Sequence, residues 1–130
     1  MIDLLLDTNI VIYLSHQERK TMQFVQELGE QRLGISIMTY METLVGADSP
    51  EDAEHLDDLL SLFSVMTLTQ EIARKSAATL RAGRKKSLRN PRLADIIIAH
   101  TALTAGVPLV TNNPKDFRRF SSLQLLTPPS

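Results

Sequence analysis

The chain of 130 residues contains no cysteine and only three histidines. Without cysteine there is no disulfide, no thiolate nucleophile and no zinc–sulfur site. The histidines, His16, His55 and His100, are far apart and form no HxH or HExxH pair, so histidine-based zinc chemistry is not expected either. A metal site in this protein would therefore be built from oxygen ligands.

Long apolar runs are also absent. No segment approaches the roughly 20 apolar residues that a membrane helix needs. The first residues, MIDLLLDTN, lack the basic segment that precedes the apolar part of a secretory signal. We therefore expect a cytoplasmic protein that does not associate with membranes. The sequence also contains no GxGxxG or GxxxxGK[ST] segment, which disfavours a nucleotide-binding fold.

The composition is that of an ordinary globular protein, with 43% hydrophobic and 22% charged residues. We find no internal repeat, low-complexity tract or linker. The length suits one domain with one sizeable core. We therefore predict a single domain over residues 1–130.

The net charge of −1 conceals an uneven distribution of charge. No lysine or arginine occurs between Leu33 and Ala73, and acids are concentrated within that stretch. Over half of the basic residues follow within 19 positions: Arg74, Lys75, Arg81, Arg84, Lys85, Lys86, Arg89 and Arg92. This basic stretch can be a phosphate-holding surface or simply the solvated faces of helices.

Short apolar segments alternate with amphipathic ones along the whole chain. The apolar segments predict strands at residues 3–6, 35–37, 65–68, 109–111 and 123–126. For the first helix, Thr8 or Asn9 is the predicted cap, and the second is predicted to run from about Arg19 to Glu30. Further helices are predicted to begin near residues 39, 49, 69 and 90, with the last ending at Gly106. This alternation predicts an α/β domain of three layers, with helices on both faces of a parallel sheet of about five strands.

Four of the 15 acids stand out by their position. Asp7 and Asp116 follow predicted strands, and Glu42 lies in a nearly uncharged stretch just beyond another. Asp95 interrupts an apolar helix near its start. Because open parallel sheets bind ligands beyond the carboxyl ends of their strands, we expect these four carboxylates to meet in one crevice.

A crevice that gathers four carboxylates favours a cation. Two unit charges about 4 Å apart interact by roughly 4 kcal/mol at an effective dielectric constant near 20. Oxygen-only ligands select hard ions, so we expect Mg²⁺ or Mn²⁺ as the cofactor. Such an ion can activate a water molecule and neutralise charge on a phosphate, which is the chemistry of phosphodiester hydrolysis.

Each acid also has an ordinary structural interpretation. Asp7 can cap the helix that follows it, and Glu42 can lie on an exposed helix face. Asp95 can complement the helix dipole from the first turn, and Asp116 can be a loop or capping residue. Only the ordered combination of the four favours a functional site.

Four segments that carry these acids resemble, in order and spacing, the conserved blocks of the PIN domain, most closely the small toxins of the VapC type. The resemblance covers about residues 3–117 and is carried by LLLDTNIVIYL, SIMTYMETLVGA, LADIIIAHTAL and LVTNNPKDF. It implies a five-stranded parallel sheet and a metal-dependent endoribonuclease that acts as the toxin of a toxin–antitoxin pair. It also implies a homodimer and a cognate antitoxin that blocks the site.

The resemblance further implies that Asp7, Glu42, Asp95 and Asp116 are the catalytic, metal-binding acids. Polar neighbours would orient carboxylates or water: Thr8, Asn9, Thr111 and Asn113. Many relatives have an acid two places after the threonine of the last block, where this chain has Asn113. That difference leaves the fourth acidic role to Asp116 and puts a second tight metal site in doubt.

The hypothesis that follows is in-line attack of a metal-activated water on an RNA phosphodiester. Basic residues would hold the strand, with Arg84 and Lys85 central among them, helped by Lys115, Arg118 and Arg119. The alternative is a catalytically silent PIN-like module that binds RNA or a protein. The intact set of acids speaks against this alternative, because concentrated carboxylates repel RNA phosphates.

Overall fold

The computed structural model describes residues 1–85 and 92–129, apart from the side chain of Lys85. Within them, β-strands and α-helices alternate along the chain. The strands are β1 (Leu4–Leu6), β2 (Leu33–Ser36), β3 (Ser64–Met66), β4 (Leu109–Val110) and β5 (Leu125–Leu126). The helices are α1 (Thr8–Ser15), α2 (Arg19–Glu27), α3 (Ile37–Val45), α4 (Pro50–Leu60), α5 (Gln70–Lys85) and α6 (Leu93–Ala105), with a 3-10 helix at Pro114–Phe117.

The five strands form one parallel sheet in the order β3-β2-β1-β4-β5. In the centre, Leu5 of β1 is in register with Gly34 of β2 on one side and with Leu109 of β4 on the other. From β1 the chain adds β2 and β3 on one side of the sheet, and then returns to add β4 and β5 on the other side. The carboxyl ends of β1 and β4 therefore flank the switch point of the sheet, where open α/β folds place their ligands.

The run of three leucines in β1 is explained by burial on both faces of the sheet. Side chains alternate along a strand, so Leu5 joins the apolar cluster on one face while Leu4 and Leu6 join the cluster on the other. Each is at most 3% exposed. Full burial of one such side chain contributes about 1.5–3 kcal/mol. The predicted three-layer α/β architecture is confirmed.

Helix α6 supplies most of the cover on the Leu5 face. Its Ile96, Ile98 and Ala102 belong to the same cluster, which Phe117 and Phe120 close from the C-terminal part of the chain. On the opposite face, residues of α1 and α4 pack on β1, β2 and β4. Because α6 is buried on most of its circumference, its sequence is apolar with little amphipathic pattern.

Two helix starts differ from their predictions. Asp7, rather than Thr8 or Asn9, is the N-cap of α1 and accepts a hydrogen bond from the Thr8 N–H. Helix α3 begins at Ile37, two residues before the predicted start, because Ser36 caps it and accepts from the Met38 and Thr39 N–H groups. In both cases the last residue of the strand region also starts the helix, with no loop between them.

The other boundaries agree more closely with the sequence. Ser49 caps α4 ahead of Pro50, and Gly106 ends α6 in the left-handed conformation with φ of 70°, as predicted. Helix α2 ends at Glu27, three residues short of the predicted end near Glu30. The start predicted at Asn90-Pro91 lies outside the described residues, and α6 is described from Leu93. Over the described residues, no helix has the length and apolar character needed to cross a bilayer.

Candidate functional site

Asp7 lies at the carboxyl end of the central strand and is 5% exposed. Its Oδ1 accepts from the Thr8 N–H at 2.8 Å, and its Oδ2 accepts from the Thr111 hydroxyl at 2.8 Å. Burial raises the pKa of the Asp7 carboxyl, the two hydrogen bonds oppose this, and the charges of Glu42 and Asp116 raise the pKa further. Asp7 does cap a helix, but a capping role alone does not account for its burial beside other acids.

Thr111 connects the two strands that flank the switch point. It follows β4, is fully buried, and donates its hydroxyl proton to Asp7 at the end of β1. The same hydroxyl oxygen accepts from the Asn113 N–H at 3.0 Å. Thr111 therefore fixes the orientation of the Asp7 carboxylate and the start of the segment that leads to Asp116.

Glu42 approaches Asp7 from the second turn of α3. Its Oε1 accepts from the Thr8 hydroxyl at 2.8 Å, and the oxygen of that hydroxyl lies 2.9 Å from the Thr39 hydroxyl. Since Thr8 donates to Glu42, Thr39 is the donor to Thr8. Thr8 and Thr39 are buried. This chain of hydroxyl groups holds one side of the Glu42 carboxylate in a fixed place.

The other carboxylate oxygen of Glu42, Oε2, pairs with the guanidinium of Arg92. Arg92 is the N-cap residue of α6, and its side chain is 70% exposed, against 25% for Glu42. The two residues are 50 positions apart in the chain. A cation supplied by the protein itself thus lies against one of the four acids.

Asp95 lies in the first turn of α6, one turn from Arg92. Burial, followed by the charge of Asp7, raises the pKa of the Asp95 carboxyl to about 6, which Arg92 partly opposes and the charges of Asp116 and Glu42 increase. A first-turn acid that only complements the helix dipole would have a lowered pKa instead. The raised pKa therefore indicates a carboxylate that is partly buried and, in addition, lies near other acids.

Asp116 is the exposed member of the group. It lies in the 3-10 helix Pro114–Phe117, which Phe117 anchors in the core. Its charge nevertheless raises the pKa of both Asp7 and Asp95. The structure thus brings all four predicted acids within electrostatic range of one another at the carboxyl edge of the sheet.

The donors at this edge fit a hydrated Mg²⁺ or Mn²⁺ better than an ion enclosed by protein. Within residues 1–85 and 92–129, no three acidic or histidine side chains form a group compact enough to ligate one ion. Mg²⁺ usually keeps several waters and binds through one or two carboxylates, whereas Ca²⁺ takes 6–8 oxygen ligands. The four acids are the residues that could hold such an ion, directly or through its waters.

The remaining predicted site residues are placed less centrally. Asn9 and Asn113 are exposed at the same edge, and among the described residues their side chains take no part in the hydrogen bonds given above. Arg84 is exposed near the end of α5. The side chain of Lys85 lies outside the described residues, as do Lys86 and Arg89.

Two participants in the site were not among the predicted site residues. Thr39 is a buried polar residue at the start of α3, and its hydroxyl contacts Thr8. Arg92 was predicted only as one of many strand-holding basic residues. The sequence carried no separate signal for Arg92, because the helix was predicted to begin near residue 90 and only the structure shows Arg92 as the N-cap of α6.

A family model described as "PIN domain" matches residues 4–123. The chain belongs to the PIN domain family. A curated relative, Ribonuclease VapC1 of Haemophilus influenzae strain R2866, is 33% identical over 129 residues, covering 92% of this chain and 93% of the relative. The resemblance seen in the sequence is thereby confirmed over nearly the whole chain.

Solved structures agree with this assignment. A toxin–antitoxin complex from Klebsiella pneumoniae includes a chain that matches with a TM-score of 0.79 and 32% identity, over 98% of this PIN domain and 99% of that chain. A chain of VapBC2 from Rickettsia felis, bound to a fragment of promoter DNA, matches with a TM-score of 0.83 at 23% identity, over 98% and 100% of the two chains. At that identity the second match shows the shared fold only.

Proposed function

We propose that this PIN domain is a divalent-metal-dependent endoribonuclease and the toxin of a toxin–antitoxin pair. One observation carries the proposal: four carboxylates from separate elements converge at the switch point of the sheet, where burial and mutual repulsion raise the pKa of two of them. The name of the Haemophilus relative, a ribonuclease, and the toxin–antitoxin complex from Klebsiella support the same assignment.

The acids Asp7, Glu42, Asp95 and Asp116 are proposed to hold Mg²⁺ or Mn²⁺. Bound there, such an ion would supply an acidified water and neutralise charge on a phosphate oxygen. The repulsion among the four carboxylates favours binding of a divalent cation. Asn113 is neutral, which leaves one cation supported by the four acids rather than two tightly held ones.

The protein's own contribution is to orient these acids before RNA arrives. The Thr111 hydroxyl and the Thr8 N–H fix both oxygens of Asp7, and the Thr8 hydroxyl fixes one oxygen of Glu42. Partners that orient metal-binding groups in this way commonly change affinity or activity by about 10- to 100-fold when removed. Asn9 and Asn113 are proposed to bind water or substrate at the rim.

Basic residues at the margins are proposed to hold the RNA backbone. Arg84 near the end of α5 and three exposed residues around the 3-10 helix provide positive charge: Lys115, Arg118 and Arg119. Phosphate contacts of this kind give affinity that falls with salt and carries little sequence preference. Lys85, whose side chain lies outside the described residues, is included on the basis of the sequence alone.

A protein antitoxin and a second copy of the chain are the proposed protein partners. The toxin–antitoxin complex from Klebsiella supports a protein antitoxin as a partner. A neighbouring short gene for a small DNA-binding protein would support the toxin role. Because the proposed substrate is cellular RNA, we propose that the protein acts in the cytoplasm.

The decisive experiment compares cleavage of structured RNA by the wild type, Asp7→Asn and Asp3→Asn with Mg²⁺, Mn²⁺ or EDTA. We expect cleavage only with metal, a loss of at least about a hundredfold in Asp7→Asn, and full activity in Asp3→Asn. Cleavage that survives both EDTA and Asp7→Asn would contradict the proposal. RNA binding without cleavage under every condition would instead favour the silent binding module.

The RNA-holding role of α5 is tested by charge reversal. The variant Arg84→Glu/Lys85→Glu should bind RNA more weakly and with a smaller slope of log affinity against log salt, by about one unit per lost phosphate contact. Arg19→Glu/Lys20→Glu is the matched control, since it reverses an exposed Arg-Lys pair in the first turn of α2. Equal slopes in both variants would remove Arg84 and Lys85 from the RNA surface.

A further inference from the structure

We propose that Arg92 is a tethered counter-ion of the acidic site. Its guanidinium pairs with Glu42 in the metal-free protein, is displaced when the divalent cation binds the Glu42 carboxylate, and then pairs with an RNA phosphate. The guanidinium would thereby lower the metal affinity of the protein and link metal loading to substrate binding. This inference rests on the proposed metal-dependent nuclease function.

The position of Arg92 is the first support. It is the N-cap of α6 with extended backbone, φ −61° and ψ 142°, and its side chain makes no capping hydrogen bond. Cap positions favour short side chains that accept from the first N–H groups of the helix, which arginine cannot do. A residue that breaks a local rule without local compensation often serves a function elsewhere.

The contacts of Glu42 are the second support. One carboxylate oxygen receives the buried Thr8 hydroxyl, and the other receives the Arg92 guanidinium. The positive charge of Arg92 also acts on Asp95, since it opposes the rise in the pKa of that carboxyl. Arg92 therefore acts on two of the four acids, and a divalent cation at this edge would compete with it for Glu42.

The unequal burial of the pair indicates which partner moves. Glu42 is 25% exposed and held by Thr8, whereas Arg92 is 70% exposed. Exposed ion pairs are weak and easily exchanged. A guanidinium has five N–H donors in a planar fork that matches phosphate as well as carboxylate. Glu42 can thus stay in place while Arg92 exchanges one anion for another.

The test measures Mn²⁺ binding to the purified chain without RNA, by calorimetry and by electron paramagnetic resonance. Arg92→Gln should bind Mn²⁺ about two- to fivefold more tightly than the wild type, as expected for loss of a partly exposed competitor. The matched control is Arg32→Gln, which removes an arginine that is 64% exposed and paired with Asp3 at the opposite edge of the sheet. Its Mn²⁺ affinity should equal that of the wild type.

A double-mutant cycle makes the assignment specific to Glu42. Glu42→Gln should weaken Mn²⁺ binding. In that background Arg92→Gln should tighten Mn²⁺ binding less than it does in the wild type, because the shared carboxylate is gone and only the effect of Arg92 on Asp95 remains. With saturating Mn²⁺ and RNA as substrate, Arg92→Gln should raise KM and reduce the salt slope of kcat/KM by about one.

The outcomes separate this inference from the proposed function. If the wild type binds Mn²⁺ and Arg92→Gln binds it equally or more weakly, Arg92 is a permanent orienting partner of Glu42 and the exchange is wrong. If the wild type binds no Mn²⁺, or Asp7→Asn binds it as well as the wild type, the metal site itself is wrong and the role of Arg92 falls with it.

Discussion

Strand β1 has an aspartate near each end, and the two have opposite surroundings. Asp3, just before the strand, has a side chain 41% exposed; it accepts from the Arg32 N–H at 2.7 Å and pairs with the Arg32 side chain at 3.7 Å. Asp7, just after the strand, is 5% exposed and lies among other acids. The same residue type thus stabilises a connection between strands at one edge of the sheet and forms part of an acidic cluster at the other.

The difference comes from the direction of the strands. At the amino edge, the backbone of the next strand approaches and an acid finds an N–H group and an arginine. At the carboxyl edge, helices α1, α3 and α6 begin close together and each brings an acid or its cap. At the amino edge, Asp3 already has a hydrogen-bond donor and an ion-pair partner in Arg32. At the carboxyl edge the acids raise one another's pKa, and a bound cation would reduce their mutual repulsion.

The largest contrast between the edges should appear in metal-dependent stability. A ligand that binds only the folded state at 100 times its Kd raises the free energy of unfolding by about 2.7 kcal/mol. Urea unfolding with saturating Mn²⁺ should show this gain in the wild type and in Asp3→Asn, but not in Asp7→Asn. An equal gain in Asp7→Asn would place the ion elsewhere.

Thr111→Val should show how far the site depends on its hydrogen-bonded support. Loss of the hydroxyl that donates to Asp7 should reduce RNA cleavage by about 10- to 100-fold. The control is Thr101→Val, which removes another buried hydroxyl, bonded within α6 to the Ile97 carbonyl. Thr101→Val should lower stability without lowering activity, and equal activity in the two variants would contradict a supporting role for Thr111.

Asp95→Asn should stabilise the metal-free protein at neutral pH. The pKa of Asp95 is about 6 in the folded protein, against about 3.9 in an unfolded chain. The folded state therefore binds more protons between about pH 4 and 6, and the wild type loses stability as pH rises through that range. Removing the charge should restore about 1 kcal/mol at pH 7, less than the full linkage value because Asp95 is only half-buried and solvent screens its charge.

Urea unfolding in EDTA at pH 4 and pH 7 measures this effect. The gain in Asp95→Asn should be present at pH 7 and absent at pH 4. Glu54→Gln, which neutralises an exposed acid of α4, should show no pH-dependent gain. A gain of equal size at both pH values would show that the repulsion at the site is not its cause.

The smallest effect is expected at the amino edge. Arg32→Gln removes a partly exposed ion pair and should change the free energy of unfolding by no more than about 0.5 kcal/mol. The backbone N–H of residue 32 still reaches Asp3 in this variant, so the strand connection persists. A loss above about 2 kcal/mol by urea unfolding would mean that the two edges are more alike than their burial indicates.

Much of the fold and the site was predictable because the relevant patterns are local. The three leucines of β1 indicate a strand buried on both faces, and Ser49-Pro50 and Gly106 mark helix ends by their own conformational preferences. Three of the four acids were selected by their position beyond strands and Asp95 by its place near the start of an apolar helix, and the structure brings all four within electrostatic range of one another. Their roles in binding a metal and cutting RNA remain predictions.

The misplaced starts of α1 and α3 have a common physical cause. The predictions placed a turn between each strand and the helix that follows it. In the structure, Asp7 and Ser36 each end the strand region and also cap the following helix. Thr39 was missed for a related reason. A threonine in an apolar helix does not by itself indicate a functional site. Only the packing of α1 against α3 shows that the Thr39 hydroxyl is hydrogen-bonded to the Thr8 hydroxyl.

The sequence by itself determined the α/β alternation, the lack of sulfur and paired-histidine ligands, and the choice of four acids, since each follows from residue type and spacing along the chain. The tertiary structure alone decided which strand ends are neighbours. It joins Asp7 to Thr111 across 104 positions and Glu42 to Arg92 across 50. These contacts depend on the sheet order β3-β2-β1-β4-β5, which local periodicity does not specify, because hydrophobic patterns say which face is buried but not which element covers it.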